Sequence, residues 1–268
     1  MIRPPDKLDC IEIRGRLRGG NTTPLLAVGM DAEQRPHTIV LKLRAPEGKL
    51  GSDHFGGISL ACELTCSMLA RLLELGVPDY HIVEIEPAIT EAQHDRALRE
   101  LLRRNIGLNF GCAYLPEAAP WSPRRSIRTE DVFNAIEDVF AFDALVINND
   151  RQREKPNLLA TPAVVMIDHS LAIPVHIWPE ERHHVTLPDG ELRKHCAFDS
   201  LHGNECGFDR VTGRWTERVD AVALDEMRRW LPQSWERVAG DVEKIYRFLR
   251  ARSTHVLSIQ DGLRRVTR

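Results

Sequence analysis

Hydrophobic positions change period along the chain. Ile11, Ile13 and Leu17 alternate with polar residues, and apolar runs follow at 25–30 and 37–44. A period of two places successive side chains on opposite faces of a strand, so residues 10–44 predict a three-stranded β-meander. Its first turn is Gly19-Gly20-Asn21-Thr22-Thr23-Pro24 and its second spans 31–36; glycine, asparagine and proline punctuate both. From 58 to 75 the period lengthens. Leu60, Leu64, Leu69, Leu72 and Leu73 form a helical stripe, which Gly76 and Pro78 end.

Beyond that helix the pattern predicts a short strand at 81–85, an exposed charged helix at 91–104 and a strand at 105–115. Residues 116–128 carry three prolines and no periodicity; they read as a connection between two parts of the chain. Thr129, followed by Glu130 and Asp131, is an N-cap candidate for a helix running to an apolar segment at 139–147. A second short apolar run follows at 163–167. Residues 174–215 read as irregular, and helices are predicted at 222–230 and 235–252.

The stretch 140–173 holds the candidate chemistry. The apolar helix ends in Asn148, Asn149 and Asp150; Asn157 precedes Leu158 and Leu159; and the run at 163–167 delivers Asp168. Helix, acidic loop, strand, turn, strand, acid is a sequence that can fold two carboxylates and an amide into one pocket. Such a set suits phosphoryl transfer. One carboxylate orients a hydroxyl and accepts its proton, and the other holds Mg²⁺, a hard cation that prefers oxygen. Either aspartate taken alone also suits the ordinary end of a strand.

Composition narrows the class. With 268 residues the chain is long enough for one large domain or two lobes. A net charge of -3 gives no cationic surface calling for nucleic acid or membrane. Cys10, Cys62, Cys66, Cys112, Cys196 and Cys206 are scattered, which fits reduced thiols in a cytoplasmic protein. The start lacks an apolar secretion core, and no run reaches the ~18 apolar residues of a membrane span. His183, His184, His195, Cys196, His202 and Cys206 crowd the irregular segment without a closed zinc-binding spacing.

Asn148-x-Asp150-Arg151, Pro156-Asn157-Leu158-Leu159 and Ile167-Asp168-His169 resemble the HipA-like kinase family, relatives of the protein-kinase fold. The Asp-Arg, Asn-Leu-Leu and Ile-Asp-His elements are also similar to lipid-kinase catalytic loops. The resemblance runs over most of the chain. It implies a bilobal α+β protein-kinase-like fold: a small β-rich N-lobe at 1–116 and a larger, mainly helical C-lobe at 117–268. It places Lys42, set within the apolar third strand, on the nucleotide phosphates, and Glu63 of the following helix beside it. The turn residues Gly19, Gly20, Asn21, Thr22 and Thr23 would cover the nucleotide, Asp150 would be the base, and Arg151 would steady its loop. Asp168 would be the principal metal ligand and Asn157 the second. The family's pattern has an asparagine five residues after the base; Lys155 stands there and would reach toward the phosphates.

The expected activity is transfer of the ATP γ-phosphate, with Mg²⁺, to a hydroxyl acceptor. A protein serine or threonine is favoured over a small molecule, and neither membrane nor direct nucleic-acid binding is expected. Two alternatives stay open: a pseudokinase that binds nucleotide or scaffolds, and a small-molecule kinase of the same fold.

Overall fold

The structure is a computed structural model and describes residues 2–17, 23–45, 52–122, 129–174, 187–236 and 240–268. Its N-terminal part is β-rich. Strands β1 (Asp6–Arg16), β2 (Leu25–Met30), β3 (Pro36–Lys42), β4 (Tyr80–Ile85) and β5 (Gly107–Ala113) form a closed barrel in the order β1-β2-β3-β5-β4. The meander was expected; its closure was not. Strand β4 lies parallel to β1, pairing His81 with Asp6 and Glu84 with Asp9. A parallel pair needs a long crossover, which α1 (Ser52–Leu72) supplies between β3 and β4.

The first strand starts earlier than its alternation suggests, and its buried face differs. Leu8 and Cys10 are buried, whereas Ile11 is exposed. Register shifts at Cys10/Glu12 and Ile13/Gly15 explain this, because each extra residue reverses which face the next side chain takes. The barrel interior is filled by Leu8, Leu25, Ala27, Ile39, Leu41, Val83 and Ile85. Leu98, Leu101 and Leu102 of α3 (Arg96–Arg103) join that core. The single charged helix expected at 91–104 is two: α2 (Pro87–Glu91), then α3, restarted by Asp95, whose carboxylate accepts from the Ala97 and Leu98 amides.

Helix α1 is the central piece. Nearly every residue from 59 to 70 is buried, not merely a leucine stripe. It packs against the barrel on one side and the C-terminal helices on the other. Burial all round forces its polar residues to find partners. Ser67 Oγ donates to the Glu63 carbonyl at 2.8 Å, and Thr65 meets the Tyr246 hydroxyl at 3.4 Å.

The C-terminal part is mainly helical. A small sheet, β6 (Ala119–Pro120), β7 (Leu158–Ala160) and β8 (Val164–Met166), carries the connection expected at 116–128. Helix α4 (Glu130–Val146) begins at Thr129, whose hydroxyl accepts from the Val132 amide. The segment read as irregular contains α5 (Asp189–Leu192), α6 (Phe198–Leu201) and most of α7 (Asp209–Arg218). Helix α8 (Ala221–Arg229) matches expectation. The helix expected from 235 starts later, as α9 (Asp241–Ser253), and a further helix, α10 (Val256–Thr267), follows it. Trp235 belongs instead to a 3₁₀ turn, Gln233–Trp235. Among the described residues no helix is long and apolar enough to cross a membrane.

Candidate functional site

Strand parity places the lysine. Ile39 and Leu41 fill the barrel, so Lys42, one residue on, faces out toward α1. There its ammonium pairs with the Glu63 carboxylate and, at 2.9 Å, with Asp168 Oδ1. Glu63 and Asp168 are 21 and 126 positions away in sequence. Glu63 also accepts from the His169 backbone amide. Burial favours a neutral lysine, but Asp168 and Glu63 outweigh it and hold Lys42 protonated. Burial alone would raise the Asp168 carboxyl; Lys42 and Lys155 overcome it and keep that group ionised.

Asp168 sits in the left-handed region, at φ 60°, and Asn157 does too, at φ 49°. Both flank the β7–β8 hairpin, where strained backbone turns their side chains to one side. Asp150 lies opposite. Lys155 Nζ stands 2.7 Å from Asp150 Oδ2 and 3.4 Å from Asp168 Oδ2. Asn157 Nδ2 donates to Asp150 Oδ2 at 3.3 Å. Lys42, Glu63, Asp150, Lys155, Asn157 and Asp168 therefore converge. Thr23 has φ 35° beside β2, and the Leu17 amide donates to the Pro24 carbonyl across the ends of the first turn. Gly19, Gly20, Asn21 and Thr22 lie outside the described residues.

Arg151 is the hub beneath these groups. It is fully buried, and its guanidinium has several partners. Nε donates to Asp143 Oδ2 at 2.5 Å; one terminal nitrogen reaches the Asn157 carbonyl and the Ile167 carbonyl; the other donates to His169 Nε2 at 3.1 Å. Asn157 and Ile167 mark the two feet of the hairpin, so one planar cation sets the spacing between Asp150, Asn157 and Asp168.

Asp143, His195 and His169 complete this layer; His169 closes the Ile-Asp-His motif and His195 stood among the histidines and cysteines weighed for zinc, but the pairing of all three around Arg151 was not expected. Asp143 Oδ1 accepts from Asn148 Nδ2 at 2.9 Å, and Oδ2 from His195 Nε2 at 2.9 Å. His195 Nδ1 accepts from the Ala197 amide, which leaves the ring proton on Nε2. Burial would raise the Asp143 carboxyl, yet Arg151 and His195 bring it down to about 2. Asp143 was detectable as a lone acid within an apolar helical run, since such a residue is rarely buried unpaired. Nothing in the sequence tied His195 to Asp143: it arrives from 52 positions away. Arg252 secures the start of the loop from behind, donating to the Ala144 and Leu145 carbonyls at 2.7 and 2.9 Å. These are C-terminal carbonyls of α4, which lack helical partners of their own.

No curated protein matches the sequence. Among solved structures, the chain is similar to the Helicobacter pylori proinflammatory kinase CtkA, with a TM-score of 0.55, 13% identity and 97% of both chains covered. At that identity the likeness is one of fold. The Golgi casein kinase with Mn/ADP bound gives a TM-score of 0.46 at 10% identity, over 97% of this chain and 74% of that one. The description of the HipA-like kinase family matches residues 10–258. That match takes in all of the barrel but the first residues of β1, the lysine, both aspartates and the helices through α9, and the chain belongs to the HipA-like kinase family.

Proposed function

We propose that this chain is a protein kinase that transfers the γ-phosphate of ATP to a serine or threonine hydroxyl. Membership of a kinase family and a kinase-like fold support a phosphotransferase. The observation that carries the reading is the Lys42 ammonium held between Glu63 and Asp168. A lysine fixed by a helix glutamate beside an acid of the catalytic hairpin is what phosphate positioning requires. On this reading residues 1–116 form the small lobe and 117–268 the large lobe, with the nucleotide between them. The turn at 19–23 covers it, and Lys42 and Lys155 neutralise its phosphates.

Asp150 orients the acceptor hydroxyl and takes its proton as the new P–O bond forms and the bond to ADP breaks. Asp168 and the Asn157 amide oxygen are the donors for Mg²⁺. Both are hard oxygen ligands at one mouth of the site, and Asp168 is partly open to solvent, so the donor set fits such an ion. Bound there, Mg²⁺ would neutralise charge on the transferred group. Arg151 touches no reacting atom; it holds the three side chains at their spacing. Catalysis of this kind is positioning and charge stabilisation.

One observation favours a second reading, nucleotide binding without transfer: the Lys155 ammonium already occupies the side of Asp150 that a base would use. Incubation with γ-labelled ATP, Mg²⁺ and a cell lysate separates the readings. Label on protein serine or threonine that disappears in Asp150→Asn supports the proposal. Label on a small molecule reassigns the acceptor, and bound nucleotide with no transfer to anything selects the second reading.

A further inference from the structure

We propose that Lys155 is a built-in cation, occupying by its side chain the place that a second divalent ion takes in two-metal kinases, so that this site works with one metal ion per nucleotide. The inference rests on the kinase reading above and deepens it.

The geometry points there first. Lys155 Nζ bridges the two carboxylates of the site, 2.7 Å from Asp150 Oδ2 and 3.4 Å from Asp168 Oδ2. Asp168 Oδ1 is turned the other way, to Lys42 Nζ and Ser170 Oγ, each at 2.9 Å. One carboxylate thus stands between two ammonium groups, one from β3 and one from the catalytic loop. An ion between Asp150 and Asp168 would have to displace Lys155.

The position of Lys155 is built by the loop. Its amide donates to the Gln152 carbonyl and its carbonyl accepts from the Gln152 amide, both at 3.2 Å. Pro156 follows and restricts the backbone of the residue before it. Lys155 and Asn157, on either side of that proline, both donate to the same Asp150 oxygen.

The chemistry agrees. In the general kinase template an asparagine five positions after the base holds the second ion. Lys155 is five positions after Asp150. An ammonium offers three donors and no acceptor; it repels a metal ion where the amide would bind one. It can, however, donate to a phosphate oxygen, supplying fixed positive charge.

Counting Mn²⁺ on the full chain tests this, by titration with paramagnetic detection at saturating ADP. Wild type should bind one ion per chain. Lys155→Asn, which restores the oxygen ligand, should bind two, while Lys155→Ala should bind one and lose nucleotide affinity about tenfold. Lys155 is partly exposed, and a circular dichroism spectrum matching wild type confirms that each variant is folded. Two ions on the wild type, or one on Lys155→Asn, overturn the proposal while leaving the kinase reading intact. No ADP binding to wild type at any Mn²⁺ concentration overturns both.

Discussion

A β-carbon on Gly57 would stand 2.1 Å from the carbonyl oxygen of Trp235. Helix α1 therefore meets the Gln233–Trp235 turn backbone to backbone. The same turn is tied to the barrel, because Trp235 Nε1 donates to the Leu108 carbonyl at 2.8 Å. Four residues past the end of α1, a β-carbon on Gly76 would lie 2.3 Å from the Val164 carbonyl oxygen, and Met166 donates its amide to the Gly76 carbonyl at 2.8 Å. Gly57 within that helix and Gly76 just beyond it thus anchor the helix that carries Glu63 on both sides. One end bears on the C-terminal helices and the other on the hairpin that presents Asp168. The spacing between Glu63 and Asp168, and hence the seat of Lys42, follows from these two contacts.

Gly57→Ala should therefore act at a distance. Something must shift, and overpacking of this kind costs about 1–3 kcal/mol. The protein should melt several degrees lower and bind nucleotide more weakly, because α1 carries Glu63 away from Lys42. Gly213→Ala, where a β-carbon meets nothing within 4 Å inside α7, is the control and should stabilise by about 0.5–1 kcal/mol. Equal melting temperatures for Gly57→Ala and wild type would show that the contact bears no strain.

How much of this was readable from sequence differs by element. The order strand, lysine, helix, glutamate and the Asp150–Asp168 hairpin came through because each is local: period, turn chemistry and an acid after an apolar run. Barrel closure did not, since β1 and β4 pair across more than seventy positions and nothing in either strand names its partner. The buried face of β1 was missed because bulges reverse parity without a sequence mark. Arg151 was expected to steady the loop, but its partner Asp143 and the histidine behind it depend on helix packing that only tertiary structure supplies. The helices α5, α6 and α7 lacked apolar periodicity strong enough to stand out among charged and polar residues.

Lys42→Ala should separate stability from binding. It leaves Glu63 buried beside Asp168 with no lysine between them, and an uncompensated buried charge costs roughly 3–5 kcal/mol. Mg²⁺-ATP should raise the melting temperature of the wild type, since a ligand of the folded state stabilises it by mass action. The shift should shrink strongly in Lys42→Ala. Identical shifts in the two proteins would remove Lys42 from the nucleotide site.

The two aspartates should fail differently. Asp150→Asn keeps a side chain able to meet Asn157, and it should bind Mg²⁺-ATP while transfer falls by a factor on the order of 10³ or more. Asp168→Asn loses the charge that faces both Lys42 and Lys155. It should lose transfer and also the Mg²⁺ dependence of nucleotide binding. Calorimetric titration with ATP, with and without Mg²⁺, reads both effects, and an Asp150→Asn protein with full turnover would move the base elsewhere.

His169 should make the fold acid-sensitive well above the carboxylate range. Burial pushes its ring down from 6.5 to about 3, and the Arg151 guanidinium, which donates to its Nε2, pushes the same way. The folded state therefore holds it neutral while the unfolded chain takes up a proton below pH 6.5. Stability is full above that pH and falls as pH drops toward 3, by about 1.4 kcal/mol per pH unit for one such group. His195, lowered by burial, adds in the same direction. Asp143 acts later: held down at about 2, its contribution is present above 3.8 and is lost only below it. Glu63, raised by burial, works with the opposite sign above 4.5, but it is common to wild type and variant. His169→Gln keeps an acceptor for Arg151 and removes the titration. Denaturant midpoints measured from pH 4 to 7 should fall with acid in both proteins, more shallowly in His169→Gln by roughly one proton's worth of slope. Parallel curves would mean that the ring is already protonated in the folded protein, and that Arg151 is held in some other way.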